Sequence, residues 1–354
     1  MTTVEEASYA LSKIVDAGSQ KSLIDLGWIK NVRVSSPRSI ITLALPSFAN
    51  SQRDRIVKEV REILLGFTDI DDVQIELDNS TPPPQNNETS TPQLQKIQGI
   101  KQIIAVSSGK GGVGKSTIAV NLACSLAKLG LKTGLLDADI YGPNTPSMLG
   151  VSEENPKVNG SGNEQRLIPI VKYGISIVSM GFLIEEGQPV IWRGPMLNSI
   201  IRQFLYQVEW DDLDFLVIDL PPGTGDAQIS LAQSVPIAGA IIVTTPQKVS
   251  LQDSRRGLAM FKQLGVPLLG VVENMSLFIP PDLPNKTYEI FGKGGGELLA
   301  NENNLPLLAK IPIEMPVVTE SNLGVPISIA EPNAKSSIKF KELAILIKSK
   351  YLNK

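Results

Sequence analysis

The chain has 354 residues, of which 42% are hydrophobic and 19% are charged, and its formal net charge is −3. This composition is typical of a globular protein with a sizeable core, and the length predicts two domains or one large domain with an appendage. The small negative charge gives no indication of a nucleic-acid partner. No apolar run approaches the ~20 residues of a membrane-spanning helix. Because the acidic start also lacks the basic residues of a secretion signal, we expect a cytoplasmic protein without a membrane partner.

Histidine and cysteine are almost absent from the sequence. With no histidine, the chain has no histidine base, no Ser-His-Asp triad and no histidine-ligated metal. Its one cysteine, Cys124, excludes an internal disulfide and a Cys-x-x-Cys site, and we expect it to be buried in a helix as a small hydrophobic residue. Phosphoryl transfer, which relies on positioning, Mg²⁺ and fixed charge, is the natural remaining chemistry.

Residues 1–78 are predicted to form a small α+β domain, and residues 79–99 a linker. Apolar residues recur at helical spacing near the start, and two alternating runs typical of strands precede another helix and strand. The predicted segments are 4–14, 28–34, 40–45, 55–65 and 73–77, in the order helix, strand, strand, helix, strand. The linker begins with a polar, proline-rich stretch that is typical of a semi-rigid spacer.

Residues 100–354 alternate strand and helix patterns. Several strand candidates are continuous apolar runs, as expected of parallel strands covered on both faces. We therefore predict an α/β fold with a doubly wound parallel sheet, whose ligands bind at the carboxyl ends of the strands. The predicted strands are 103–106, 133–136, 176–180, 215–218, 240–244, 268–272 and 307–311, and the predicted helices are 118–129, 196–206, 229–235, 251–264 and 297–301.

The run SSGKGGVGKST at 107–117 fits the phosphate-binding pattern G-x-x-x-x-G-K-[ST], between a predicted strand and a predicted helix. Glycines let backbone N–H groups point inward at phosphate oxygens, and the helix start adds the positive end of its dipole. We expect Lys115 to reach the β- and γ-phosphates and the Ser116 hydroxyl to bind Mg²⁺. The predicted nucleotide-binding residues of this loop are Gly109, Lys110, Gly111, Gly112, Val113, Gly114, Lys115, Ser116 and Thr117.

Lys110 is a second lysine in the loop, which ordinary phosphate loops do not require. A cation at this position would meet charge that builds on the phosphoryl groups in the transition state, so we predict a catalytic role for Lys110 beside Lys115. The string Lys-Gly-Gly-x-Gly-Lys-[Ser/Thr] resembles the deviant loop of the MinD/ParA/nitrogenase-iron-protein class. That resemblance implies a homodimer in which Lys110 crosses into the partner's nucleotide site.

An aspartate that ends a second buried strand would complete a magnesium–nucleotide site. Asp219 ends the apolar run 215–218, where it would hold Mg²⁺ directly or through water. The segment that follows, 220–226, is rigid at its prolines and flexible at its glycines. This composition is typical of a switch, and we predict that the backbone N–H of Gly223 contacts the γ-phosphate.

A second acidic pair follows the strand predicted at 133–136. One carboxylate can orient the attacking water while the other meets Mg²⁺ or its waters, so we assign Asp139 to the water or base role and Asp137 to the metal. The alternative is a pair of solvated turn aspartates. Asn274 ends a later strand, where its amide could contact the edge of a base. The Asn-Lys-x-Asp guanine pattern is absent from the sequence, so we expect ATP rather than GTP.

Several strings beyond the loop resemble those of the Mrp/ApbC family of P-loop ATPases, over about 100–330. They are LDADIYGP (136–143), WRGPM (192–196), DLPPGTGD (219–226), TTPQ (244–247) and ENMS (273–276). The leading domain resembles, by pattern, the small domain associated with iron–sulfur assembly that often precedes these ATPases. The resemblance implies an ATP-binding, slowly hydrolysing homodimer that carries iron–sulfur clusters to apo client proteins, with Asn274 in contact with adenine.

The chain departs from that family where many relatives hold a [4Fe–4S] cluster. Relatives continue Asn-Met-Ser-x-Phe-x into Cys-x-x-Cys, but Pro280 and Leu283 stand at those positions here, and Ser47 lies where relatives often place a cysteine in the leading domain. Clusters are usually held by four thiolates, and two copies of the chain offer only a pair of Cys124. The chain could use a partner's ligands, hold a cluster weakly through other atoms, or assist assembly without binding one.

Two other functions are compatible with the motifs. A MinD/ParA-like dimer switch would act on membrane or DNA, and its support is the segment 335–354, where Ile338, Leu346 and Tyr351 interleave with lysines as in a helix that lies on anionic lipid. More often a last helix docks on its own domain, and we favour docking. A small-molecule kinase or synthetase is the other candidate, in which the 192–195 turn could contribute to an acceptor pocket or form only a structural corner.

Overall fold

A computed structural model of the chain divides into two compact units, Met1–Pro92 and Gln93–Lys354. The structure describes residues 2–15, 22–26, 28–43, 53–77, 97–140, 142–160, 165–183, 200–201, 203–283 and 285–352. Among these residues, every helix is too short or too polar to cross a membrane.

Within its described residues, the first unit has two helices and a three-stranded sheet. Its elements are α1 (Val4–Leu11), β1 (Ile29–Ser35), β2 (Arg38–Leu43), α2 (Arg53–Leu65) and β3 (Asp72–Leu77). β1 and β2 pair antiparallel, and the chain returns through α2 so that β3 lies parallel to β2. A capping box begins α1, in which Thr3 and Glu6 each accept the other's backbone N–H. The predicted order of helices and strands is confirmed.

The second unit is built on an eight-stranded sheet. Its strands are β4 (Ile100–Ser108), β5 (Thr133–Asp137), β8 (Ile170–Lys172), β9 (Ile175–Ser179), β10 (Leu213–Asp219), β11 (Gly239–Thr244), β12 (Leu268–Glu273) and β13 (Leu307–Lys310). Their order is β13-β12-β11-β4-β10-β5-β9-β8, and β8 is antiparallel to β9 while the other pairs are parallel. A separate hairpin contains β6 (Lys157–Asn159) and β7 (Arg166–Ile168).

Helices cover both faces of this sheet. They are α3 (Lys115–Lys128), α4 (Thr145–Met148), α5 (Asp226–Ser234), α6 (Lys248–Gln263), α7 (Gly295–Glu302), α8 (Met315–Asn322), α9 (Ile327–Ala330) and α10 (Lys335–Leu352). Successive residues of β4 point to opposite faces: Ile103 and Ala105 belong to a buried cluster with α5, α6 and α7, whereas Ile104 and Val106 belong to one with α3, α9 and α10. The predicted doubly wound α/β fold is therefore confirmed.

The predicted strands of this unit agree with the observed ones within a few residues. The sequence pattern does not predict β6, β7 and β8, because three-residue strands are too short to show a periodicity. It also misses α4, α8 and α9, which are short helices. The predicted helix at 196–206 lies partly outside the described residues, and 200–201 and 203–206 are helical.

The C-terminal segment forms α10, which docks on its own unit as favoured. It packs against α3 and β13, and Tyr351 Oη donates to the Ala238 carbonyl oxygen at 2.9 Å. Ile338 and Leu346, which suggested a lipid-facing stripe, remain 44% and 39% exposed and do not form the docked face. The apolar residues that α10 buries are instead Phe340, Leu343, Ala344 and Ile347.

Candidate functional site

The phosphate loop joins the carboxyl end of β4 to the start of α3. Gly112 and Gly114 have φ angles of 78° and 81°, in the left-handed region that favours glycine. A Cβ on Gly109 would lie 2.1 Å from the backbone carbonyl carbon of Asp253, so the loop lies directly on the backbone of α6. Gly112 and Gly114 are therefore favoured by backbone conformation and Gly109 is required by close contact, whereas a Cβ on Gly111 would meet no atom within 4 Å.

Asn274 supports the loop from the end of β12. Its buried side chain donates from Nδ2 to the Val113 carbonyl oxygen at 2.8 Å. A Cβ on Gly114 would lie 2.2 Å from the same nitrogen. Asn274 does not line the cleft above the loop, so its contact with adenine stays a prediction. This supporting hydrogen bond was not predicted, since nothing in the sequence places 274 beneath 113.

Lys115 lies in a buried cluster of charge at the base of the loop. Its Nζ is 2.6 Å from Asp219 Oδ1 and 3.3 Å from Asp139 Oδ2, and its side chain is 6% exposed. Burial lowers the pKa of Lys115, because it disfavours the charged form. The negative charges of Asp219, Asp139 and Asp137 raise it by more, so the pKa lies above its usual value. The structure thus brings together four residues that the sequence places on three separate segments.

Asp137 is held rigidly behind this cluster. It pairs in register with Asp219 on the neighbouring strand, and both carboxylates are inaccessible to solvent. One oxygen of Asp137 accepts from the Asp139 N–H at 3.1 Å, and the other from Ser179 Oγ at 2.9 Å and the Thr145 N–H at 3.3 Å. These bonds fix the turn that carries Asp139, which argues against a solvated pair of turn aspartates.

The residues present fit a bound Mg²⁺. Asp219 Oδ2 is buried and accepts no hydrogen bond from the described residues, and the Ser116 hydroxyl is near enough to lower the pKa of the same carboxyl group. Burial nevertheless leaves the pKa of Asp219 above its usual value, although Lys115 opposes the rise. Hydroxyl and carboxylate oxygens are the ligands that Mg²⁺ prefers, so a cation here would satisfy an oxygen that otherwise costs free energy.

Two other predicted residues lie at the edge of the loop. Lys110 is half-buried, lines the cleft and forms no ion pair within the described part of the chain. The N–H of Gly223 donates to the Ser108 carbonyl oxygen at 2.9 Å. The predicted phosphate contact of Gly223 is therefore not available in this conformation, because the donor is already bound to the strand end that precedes the loop.

An open cleft of about 580 Å³ lies over the loop. Its lining includes Lys110, Lys115, Ser116, Thr117 and Asp139, together with residues that the sequence did not suggest. The additional lining residues are Asn144, Ser147 and Met148 at α4, and Val317, Val318, Ser321 and Asn322 on α8. A short helix with a proline near its start shows no motif or periodicity, so no sequence signal identifies α8 as a cleft wall.

Cys124 is poorly suited to hold a cluster. It lies on α3 with no exposed surface, and burial raises the pKa of its thiol to about 12. The described residues contain no group of three or more histidine, cysteine, aspartate or glutamate side chains that is arranged to bind a metal ion. Leu283, at a family cysteine position, is 42% exposed. The 192–196 string and Ser47 lie outside the described residues.

Comparison with known proteins gives both units a family. Residues 99–348 match the model described as the NUBPL iron-transfer P-loop NTPase, and residues 5–77 match the model described as iron-sulfur cluster assembly protein. A Synechocystis protein named iron-sulfur cluster carrier protein is 50% identical over 337 residues, which cover 95% of this chain and 94% of the relative. A Helicobacter pylori protein of the same name is 42% identical over 97% of this chain and 92% of its own length.

A solved structure supports the same assignment. A nucleotide-binding protein from Archaeoglobus fulgidus, in complex with ADP, is 37% identical and covers 65% of this chain and 88% of its own, with a TM-score of 0.57. The cell division ATPase MinD of Pyrococcus furiosus, 22% identical with a TM-score of 0.50 over 70% of this chain and 98% of its own, shares the fold. This chain belongs to the NUBPL iron-transfer family of P-loop NTPases.

Proposed function

We propose that this chain binds and slowly hydrolyses Mg·ATP and uses that cycle in the maturation of iron–sulfur proteins. The observation that carries the proposal is the buried cluster of Lys115, Asp139 and Asp219 at the base of a glycine-rich loop. Fixed charges of both signs at one end of an open cleft are what phosphoryl transfer requires, since it depends on positioning and electrostatic stabilisation.

Nucleotide binding would change the partners of Lys115. In the structure its charge is shared between Asp219 and Asp139. A triphosphate in the loop would attract Lys115 toward its oxygens and leave the Asp139 carboxylate able to orient water. Ser116 and Asp219 would hold Mg²⁺, with Asp137 as support from behind. When bound, Mg²⁺ neutralises charge on the phosphate oxygens.

The nucleoside would lie against α8. Val317 and Val318 offer apolar surface in the cleft, and Ser321 and Asn322 offer small polar groups. This mixture suits a base and a ribose, since nucleotide sites combine apolar contact with a few convergent polar groups. Asn274 would then act on the nucleotide by holding the loop, in addition to any contact with adenine.

Lys110 is the residue that supports a homodimer. It lines the cleft with a half-buried side chain and without an ion pair in the described residues. A lysine in this position can extend toward a second copy of the chain and add positive charge to its phosphates in the transition state. Hydrolysis would therefore depend on dimerisation, whereas binding of one nucleotide would not.

The role in iron–sulfur chemistry is supported by the relatives, which are named iron-sulfur cluster carrier protein. Because Cys124 is buried and is the only cysteine of the sequence, we propose that cluster ligands come from client apoproteins rather than from this chain. The chain would then assist cluster assembly on its clients. Clusters are ordinarily held by thiolates, and these clients would provide them.

An anaerobic assembly assay tests this proposal. The full chain, iron and sulfide would be incubated with an apo iron–sulfur client, with and without Mg·ATP, and cluster formation followed by absorbance and iron content. We expect Mg·ATP to accelerate cluster formation on the client, and Lys110→Ala to abolish the acceleration. Lys157→Ala, at an exposed site on β6, serves as the control. A stoichiometric cluster on the chain alone, lost in Cys124→Ala, would overturn the proposal.

A further inference from the structure

Two glycines bring the helices of the cleft walls into direct backbone contact. Gly150 follows α4 and Gly324 follows α8, with φ angles of 65° and 76°. A Cβ on Gly324 would lie 2.4 Å from the Cα of Gly150, and a Cβ on Gly150 would lie 3.2 Å from the carbonyl oxygen of Gly324. Carbon atoms in contact are normally about 3.5–4.0 Å apart, so no side chain fits at Gly324. We call this pair the glycine contact.

A third segment holds the glycine contact in place. The hydroxyl of Tyr173, in the turn between β8 and β9, donates to the carbonyl oxygen of Gly324 at 2.9 Å. Tyr173 is partly buried against the hydrophobic cluster beneath α3, and its own φ is 50°. A non-glycine residue with this φ costs free energy and persists only where the surroundings stabilise it. The hydrogen bond is one such stabilising interaction.

Both helices also reach the nucleotide site at other points. α4 begins at Thr145, whose N–H donates to Asp137 at 3.3 Å, and its residues Ser147 and Met148 line the cleft. α8 lines the same cleft through Val317 and Val318. The glycine contact therefore joins the wall that is anchored on the acidic cluster to the wall that we assign to the nucleoside.

We propose that the glycine contact sets the width of the cleft and thereby its affinity for the nucleoside part of ATP. Gly150, Gly324 and Tyr173 act as positioning residues, because they touch the walls and not the ligand. This inference rests on the proposed nucleotide binding. A displacement of about 1 Å between groups that hold a ligand is enough to change binding and rate strongly, and a methyl group at Gly324 would force a shift of that size.

Four variants of the full chain test the proposal. Gly324→Ala has the severe clash, Gly150→Ala the milder one, and Tyr173→Phe loses only the hydrogen bond. The matched control is Gly265→Ala: Gly265 also follows a helix, α6, with a φ of 70°, but a Cβ there meets no atom within 4 Å. For each variant, calorimetry measures the affinity for Mg·ATP and for magnesium tripolyphosphate. Tripolyphosphate occupies the phosphate loop but has no nucleoside, so it reports on the loop alone.

We expect Gly324→Ala to weaken the affinity for Mg·ATP at least about tenfold and the affinity for tripolyphosphate less than about twofold. The ratio of the two affinities would then change by about 1 kcal/mol or more. Gly150→Ala and Tyr173→Phe should shift the same ratio by smaller factors, and Gly265→Ala should leave it unchanged. An unchanged ratio in Gly324→Ala, or in Tyr173→Phe if the glycine variants do not fold, would overturn the inference. Wild-type chain that binds neither ligand would instead refute the proposed nucleotide function on which it rests.

Discussion

Asp137 and Asp219 lie beside each other on the neighbouring strands β5 and β10, and neither carboxylate is accessible to solvent. Lys115 pairs directly with Asp219, whereas Asp137 accepts hydrogen bonds from Asp139, Thr145 and Ser179. Burial raises the pKa of both groups, and repulsion from Asp219 adds to the rise at Asp137, whose pKa is about 7. A bound cation favours the charged carboxylates and would oppose this rise, so we expect cation binding to displace a proton from the pair.

We expect Mg·ATP binding to release on the order of half a proton at pH 7, with affinity rising between about pH 6 and pH 8. The raised pKa also fixes how stability depends on pH. Between about pH 4 and pH 7 the folded chain holds a proton on Asp137 that the unfolded chain has lost. Asp137 therefore lowers the free energy of unfolding as the pH rises through that range. Calorimetry in two buffers of different ionisation enthalpy measures the release. ATP with EDTA is the control, and equal heats in both buffers would contradict the prediction.

Gly109→Ala should prevent the loop from lying on α6. The added methyl group would meet the backbone of Asp253, and backbone atoms cannot move aside as a flexible side chain can. We expect a loss of about 2 kcal/mol or more in the free energy of unfolding, together with loss of Mg·ATP binding. Gly257→Ala in α6 is the control, because a Cβ there meets no atom within 4 Å. Thermal unfolding measures the stability of both variants, and calorimetry measures their binding of Mg·ATP. A Gly109→Ala variant that is as stable as the wild type and binds ATP would contradict the close contact of the loop with α6.

Asn274→Ala should weaken nucleotide binding, because the phosphate loop loses the side chain that supports it. The variant leaves the Val113 carbonyl oxygen without its donor at 2.8 Å, which we expect to cost about 1–3 kcal/mol in stability. Asn303→Ala provides a matched control, since Asn303 donates a similar bond to the Leu299 carbonyl oxygen at 2.9 Å, remote from the loop. Equal nucleotide affinity in the two variants, measured by calorimetry, would show that the support by Asn274 does not matter for binding.

Features that depend on residues close together in the sequence could be predicted, whereas features that depend on distant residues could not. The loop at 107–117 was predictable, because phosphate binding by backbone N–H groups requires a local string of glycines, lysine and serine. The side-by-side placement of Asp137 and Asp219 depends on strand order, and the bond from Gly223 to Ser108 depends on the conformation of the segment 220–226, so local patterns predict neither.

The missed wall of the cleft has a similar cause. α8 contributes Val317 and Val318 through tertiary contacts alone, and its eight residues bury no side chain that would mark one face of a helix. The glycine contact likewise joins residues 174 positions apart in sequence, and a lone glycine after a helix usually indicates only a helix end. The catalytic roles of Lys110, Lys115 and Asp139, and the contact of the Gly223 N–H with the γ-phosphate, stay predictions.

Cys124 should be chemically silent in the folded chain. Burial raises the pKa of its thiol to about 12, and the thiolate is the reactive form. We therefore expect no reaction with a disulfide reagent at pH 8, and one thiol per chain after unfolding in guanidinium chloride. Rapid labelling of the folded protein would contradict the burial of Cys124 and would restore it as a possible cluster ligand.

The most direct measurement for the whole account is titration calorimetry of the well-folded wild-type chain with Mg·ATP, carried out at two temperatures so that a vanishing enthalpy at one of them does not conceal binding. The account predicts a saturable heat with one nucleotide per chain. The absence of any binding heat at both temperatures would contradict it.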